Sequence, residues 1–262
     1  MQKTIGCFEV SVASDGVALV VFSRPPVNSV SLSVYEDIAA LVGFISQSTD
    51  IRVVVLSAPE SSRAWCGGAD VKDFVGMDKE RRKERYAFIN QSLPGFYNLD
   101  RPVIAAINGH AIGIGVIWAG LCDMRIASSE ALFACPEIDY GLIAGGAGLF
   151  AWLKIPEGKA REMVFTGRRF TAQELEPTGF FNYVVPRAEV LPKAMELAAL
   201  IATKSLPTLR ARKLASVALE GRTWMEAYLD AQALSGNLVA GEDSSEGVRA
   251  FLEHRKPRIL DR

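Results

Sequence analysis

Three stretches hold the residues from which a reactive site could be built. "GHAIGIGVIWAGLCD", residues 109–123, places Gly109, Gly113 and Gly115 four and two apart in an apolar run that has no charge before Asp123. A glycine inside a helix costs about 1 kcal/mol relative to alanine, so this spacing must serve something other than helix stability. "WCGGADVKDF", residues 65–74, is a second glycine-rich turn, and "ACPEIDYGLIAGGAG", residues 134–148, sets Glu137 behind Pro136 among apolar neighbours. Glycine turns that follow strands let backbone N–H groups face a ligand without a Cβ in the way. Two such turns brought together offer paired donors where negative charge develops on a carbonyl oxygen. A carboxylate lodged in apolar surroundings is a stronger base than one in water. The same residues also fit a plainer arrangement, with two tight packing turns and a glutamate on an exposed loop.

Other chemistries find no support in the sequence. It contains no GxxxxGK[ST], no GxGxxG opening a helix after the first strand, and no GxSxG elbow, which argues against P-loop, dinucleotide and serine-hydrolase sites. His110 and His254 have no second ligand at metal spacing and read as structural or surface residues, so no metal site is expected. Cys7, Cys66, Cys122 and Cys135 show neither CxxC nor Cys/His spacing, which points to reduced thiols and a cytoplasmic setting. A net charge of −1 gives no electrostatic footprint for nucleic acid or an anionic membrane. The basic run "KERRKER", residues 79–85, alternates with acids and reads as a solvated helix face. "MQKTIGCFEV" leads straight into strand-like alternation, so no signal or transit peptide is expected, and no apolar run is long enough to span a bilayer.

The elements that must position these residues follow from periodicity. At 49% hydrophobic and 23% charged, 262 residues are enough for one sizeable core. "CFEVSVA" and "VALVVFS" flank "SDG" and predict a β-hairpin, which the prolines of "RPPVNS" end. Ser31 is placed to cap a helix over "LSVYEDIAALVGFISQS". "IRVVVLSA" and "RPVIAAING" read as buried strands, "DMRIASSEALF" as a strand and short turn, and Lys79–Asn98 as a helix. From Gly158 onward the pattern is mostly helical, with a capping box at Thr171 and Glu174. The whole reads as an α/β body with a helical C-terminal part.

"RAWCGGADVKDF", "RPVIAAINGHAIGIGVIWAGLCDMRIAS", "ALFACPEIDYGLIAGGAG" and "EGVRAFLEHRKP" resemble, in that order, the hallmark segments of the crotonase (enoyl-CoA hydratase/isomerase) superfamily. The resemblance covers nearly the whole chain. It implies a spiral of repeated ββα units over residues 1–200, carrying the coenzyme A and acyl sites. A helical region over 201–262 would serve trimerisation and cover the active site. It further implies acyl-coenzyme A substrates, no tightly bound cofactor, and a homotrimer or a hexamer of paired trimers. By match to the motifs, the oxyanion donors are the backbone N–H groups of Ala69 and Ile114, and Glu137 is the catalytic carboxylate. Gly67 and the run Ala69, Asp70, Val71 and Lys72 would line the coenzyme, with Val27 near its adenine end. Lys256 matches a position that meets a neighbouring subunit's coenzyme phosphate, and Ile117 and Trp118 fall at the acyl pocket.

The sequence departs from the family pattern at two places. The second donor position usually carries glycine; Ile114 keeps the N–H but adds a branched side chain beside the thioester. Hydratases of the family carry two glutamates, and the first would fall at Ile117, which cannot move a proton. Loss of one general acid/base removes about 10²–10⁴ in rate, so hydration suffers while a double-bond shift needs only one carboxylate. The family's 3-enoyl to 2-enoyl isomerases keep this single glutamate. Its dienoyl isomerases place an aspartate where this chain has Gly145. The expected activity is therefore an enoyl-CoA isomerase. A hydratase of low or special activity, a thioester hydrolase or decarboxylase, and a non-catalytic acyl-CoA-binding scaffold are the alternatives.

Overall fold

The computed structural model describes residues 1–143, 154–214 and 241–258, with positions 216, 217, 225, 229, 236 and 239 between them. Gly145 and most of the helical readings beyond residue 214 lie outside the described residues. The chain opens with β1 (Gln2–Ile5), β2 (Phe8–Val12) and β3 (Val17–Phe22), an antiparallel meander containing the expected hairpin. Helix α1 (Leu32–Gln47) then returns the chain so that β4 (Val53–Ser57) lies parallel to β3. Ser31 stands at the N-cap of α1, but its hydroxyl lies 2.9 Å from that of Ser33 and makes no capping bond.

From β4 the chain winds as a spiral, each turn giving one strand to a large sheet and one to a small sheet. β4 is followed by β5 (Ala64–Cys66) and helix α2 (Lys79–Tyr97), then by β6 (Val103–Ile107), β7 (His110–Ile112) and helix α3 (Ile114–Leu121). The third turn is β8 (Met124–Ser128) and β9 (Leu132–Ala134). "DMRIASSEALF" is thus two strands in different sheets. β10 (Phe170–Thr171) and β11 (Tyr183–Val185) complete the sheets, in orders β1-β2-β3-β4-β6-β8-β11 and β10-β9-β7-β5.

The continuous apolar runs arise because the large sheet is covered on both faces. Val53, Val55, Ile104, Ala106 and Ile126 pack against Val190, Ala194 and Ala198 of the helix Arg187–Ala202. The alternate residues Val54, Leu56, Val103, Ala105 and Ile107 face the main core with α1, α2 and α3. The capping box at Thr171 forms as expected, with Glu174 N–H donating to Thr171 Oγ1 and Thr171 N–H to Glu174 Oε2.

Candidate active site

The two glycine turns meet. Helix α3 begins at Ile114, immediately after Gly113, whose φ of 54° and ψ of −115° are unfavourable for a residue with a Cβ. A methyl group built on Gly113 would lie 2.5 Å from Glu137 Oε1 and 4.0 Å from Gly68 Cα, so this glycine marks where both turns and the carboxylate converge. Gly115 lets α3 press onto β5, since a methyl there would lie 2.7 Å from the Cys66 carbonyl oxygen. The spacing of these glycines is thus accounted for by close approach.

The first turn is pinned by the "RPPVNS" loop. Val30 N–H donates to the Gly68 carbonyl at 2.8 Å, Asp70 N–H to Val30 at 2.9 Å, and Gly67 N–H to Asn28 at 3.2 Å. Gly67 also lies against Val27, whose carbonyl oxygen would be 2.5 Å from a methyl on Gly67. Arg24 ties the loop to Asp70 at 2.8 Å, and Asp70 in turn accepts from Lys72 N–H. Asn28, buried and at φ 54°, binds Ala64 and Ser62 through its amide nitrogen and Arg24 N–H through its amide oxygen. The N–H groups of Ala69 and Ile114 have no acceptor among the described residues.

Glu137 sits on a single 3₁₀ turn, Pro136–Tyr140, which Pro136 starts and Gly141 ends in the left-handed conformation. Glu137 is half-buried, with its Oε2 fully enclosed and without a hydrogen-bond partner among the described residues. Burial pushes its pKa up from 4.5 to about 7, opposed by its own amide N–H and by the Arg82 guanidinium. The exposed-loop alternative does not hold. Such a group is half ionised near neutral pH and can take and return a proton.

Two cavities share Ala69, Phe74, Glu137 and Leu142 in their walls. The outer one continues along Gly67, Gly68, Val71 and Gly113 and is closed by Val248 and Phe251 of the helix Glu242–Leu252. The inner one is lined by Ile114, Ile117, Ile89 and Leu93, and by Arg82 and Arg85. Glu137 is the one carboxylate among the described residues lining either cavity.

Several expectations change here. Trp118, expected at the acyl pocket, is instead buried among Phe8, Phe22, Trp65 and Phe96, with ring centroids 5.3–6.0 Å away. As its neighbour Ile117 faces the cavity, the helical turn directs Trp118 into the core. Lys256 lines an open cavity with Glu246, Arg255 and Arg258, and the contact expected of it, with a neighbouring subunit's coenzyme, lies beyond a single chain. The run 79–85 is not a wholly solvated face, since Arg82 and Arg85 are only 5% and 4% exposed. Their signal was in the sequence. They extend backward, at helical spacing, the stripe formed by Tyr86, Ile89, Leu93 and Phe96. His110 is structural, its Nδ1 accepting from Leu132 N–H at 3.1 Å. Among the described residues there is no cluster of three metal-ligating side chains, and no helix is long and apolar enough to cross a membrane.

A family model described as "Enoyl-CoA hydratase/isomerase" matches residues 12–262. The chain is 33% identical over 246 residues to "Probable enoyl-CoA hydratase, mitochondrial" of Dictyostelium discoideum, covering 92% of this chain and 86% of that one. It is 30% identical over 268 residues to "Mevalonyl-coenzyme A hydratase sidH" of Aspergillus fumigatus, covering 97% and 94%. Among solved structures, an enoyl-CoA hydratase/isomerase from Pseudoalteromonas atlantica superposes with a TM-score of 0.85 at 22% identity, over 97% of this chain and all of that one. That likeness establishes the crotonase fold. With the family model spanning all but the first strands, the chain belongs to the enoyl-CoA hydratase/isomerase family.

Proposed function

We propose that the protein is an acyl-coenzyme A enzyme that stabilises a thioester enolate, with Glu137 as its single proton shuttle, and that it moves a 3-enoyl double bond to the 2-position. The observation carrying this reading is that Glu137 is the one carboxylate among the described residues lining the two cavities, while Ile117, where the resemblance places a second acid, lines the inner one. In this reading the thioester oxygen accepts from Ala69 N–H and Ile114 N–H. The coenzyme runs through the outer cavity past Gly67, Asp70, Val71 and Lys72 toward Val27, and the acyl group enters the inner cavity. Glu137 takes a proton from C2, and the C–H electron pair moves onto the thioester oxygen as the enolate. The same carboxylic acid returns the proton at C4, leaving the double bond between C2 and C3. The enolate oxygen is the place where paired donors stabilise charge that the substrate lacks.

Hydratase activity is the second reading, because relatives such as those of Dictyostelium and Aspergillus carry hydratase names. An assay panel of 3-enoyl-, 2-enoyl- and saturated thioesters, run with deuterium exchange at C2, separates the two. Conversion of 3-enoyl to 2-enoyl with exchange, and little hydration, is expected. Rapid hydration of crotonyl-CoA with no isomerisation would overturn the isomerase reading. The cysteines are free thiols, which supports a reducing compartment and the cytoplasmic placement. The Dictyostelium relative is named as mitochondrial.

A further inference from the structure

The turn that carries Glu137 is pressed from three sides, each time at a glycine. From inside, Gly113 meets the Glu137 carboxylate. From the side, a methyl on Gly167, which ends the helix Glu157–Thr166, would lie 2.9 Å from Asp139 Oδ2. From outside, a methyl on Gly247 of the helix Glu242–Leu252 would lie 2.5 Å from Tyr140 Cα and 2.6 Å from the Tyr140 carbonyl oxygen. This last approach is to backbone, so no side chain can swing aside to relieve it. The same helix lays Phe251 edge to face against Tyr140, with ring centroids 5.6 Å apart. Glu246, next to Gly247, gathers the chain beyond the helix by accepting from the Arg255 guanidinium and from Arg258 N–H.

Internal bonds fix the shape of this turn, with Leu142 N–H donating to the Glu137 carbonyl at 3.0 Å and Gly141 N–H to that of Ile138 at 3.2 Å. They do not fix its place in the molecule. Glu137 Oε2 has no hydrogen-bond partner among the described residues, so no neighbouring donor there holds that oxygen over the site. The position of the carboxylate therefore follows from what packs on the backbone of the turn. A glycine in the middle of a helix is less favourable than alanine, and here it lets the helix come closer to Tyr140 than any side chain would allow. We propose that Gly247 is a positioning residue: through its contact with Tyr140, the helix Glu242–Leu252 seats the turn Pro136–Tyr140 and sets where Glu137 meets the acyl carbon. Val248 and Phe251 of the same helix close the outer cavity, so one rigid element spans the coenzyme side of the site and the base. This proposal rests on the reading of Glu137 as the base and assigns what holds it.

The test follows deuterium exchange at C2 of butanoyl-CoA together with the stoichiometry of coenzyme A binding. Were the glycine incidental, Gly247→Ala would be neutral or stabilising, since alanine favours the helix. The expected result is instead a fall of about tenfold to a hundredfold in kcat for exchange, the scale of loss when a reacting group is misplaced by about 1 Å. Coenzyme A should still bind at full stoichiometry, which separates this loss from an unfolded fraction, and KM should change by less than kcat. Exchange at the wild-type rate in Gly247→Ala overturns the assignment and leaves the reading of Glu137 standing, because Glu137→Gln tests the base directly. A rise in KM that matches or exceeds the fall in kcat also overturns it, since the helix would then serve coenzyme binding alone. If Glu137→Gln itself exchanges like the wild type, the underlying reading fails and this one with it. Should Gly247→Ala not fold or not bind coenzyme A, Phe251→Ala decides from the same contact. Its kcat for exchange should fall severalfold with coenzyme A still bound, and an undiminished kcat overturns the proposal.

Discussion

Glu137 is kept in a conflict between its charge and its surroundings, and the conflict has consequences for rate and for stability. Its pKa of about 7 means that the base form grows as pH rises, so proton exchange at C2 should climb through pH 7 and level off above it. Glu137→Gln keeps the volume and should leave fold and coenzyme A affinity intact while exchange falls by about 10²-fold or more. Exchange at the wild-type rate in that variant would remove Glu137 from the mechanism. Stability runs the other way. The folded pKa lies above the ordinary value of 4.5, so the folded chain binds more protons than the unfolded one between 4.5 and about 7. The stability that this group contributes is therefore complete below 4.5 and is lost as pH rises through 7. Glu137→Gln should melt higher than wild type at about pH 8, with the gap narrowing toward about pH 4. Ile117 supplies the complementary experiment, since it faces the same cavity. Ile117→Glu should raise hydration of a short 2-enoyl thioester measurably, and efficient hydration by the wild type would defeat the argument from the missing carboxylate.

At the scale of elements, the site depends on α3 starting where it does. Gly113→Ala puts a Cβ in an unfavourable backbone conformation and 2.5 Å from the Glu137 carboxylate. It should lower stability by about 1–3 kcal/mol and abolish exchange by displacing the base, as thermal melting and the deuterium assay would show. Gly158→Ala is the contrast: it lies in the helix Glu157–Thr166 with nothing within 4 Å of an added methyl. That change should be neutral or stabilise by up to about 1 kcal/mol, leaving exchange unchanged. The same elements show why some of this was legible in the sequence and some was not. The strands of the large sheet were readable because Val53–Ser57 and Val103–Ile107 are apolar on both faces. The three-residue strands β5, β7 and β9 are too short to show a period, so the second sheet is not legible in the hydrophobic pattern. Glu137 could be named from the motif, but its burial could not be told from an exposed loop without the surrounding cavity walls. Arg82 and Arg85 were read by charge when their helical spacing placed them on the buried stripe.

The whole molecule leaves apolar surface that one chain does not cover. Phe165 is 65% exposed and Leu200 59% exposed, and Tyr183 and Leu214 are exposed as well, all in the part of the chain after residue 156. Phe165 and Leu200 lie on the helices Glu157–Thr166 and Arg187–Ala202 and Tyr183 on β11, and large apolar side chains left exposed in this number are candidates for contact with another copy of the chain. A homotrimer, or two trimers paired as a hexamer, is the expected state, and a monomeric mass by light scattering at micromolar concentration would rule it out. The basic tail makes this a question about ligand binding too. Lys256 lies with Arg255 and Arg258 around Glu246, in a cavity separate from the two that meet at Glu137. If Lys256 meets the coenzyme phosphate of a neighbouring subunit, its contribution exists only in the assembly. Lys256→Glu should then weaken binding of coenzyme A more than that of dephospho-coenzyme A, because the variant replaces an attraction to that phosphate by a repulsion. The difference should shrink with added salt, since the tail is exposed and its charges are screened. Equal weakening of both ligands would mean that Lys256 acts on folding or assembly rather than on the phosphate.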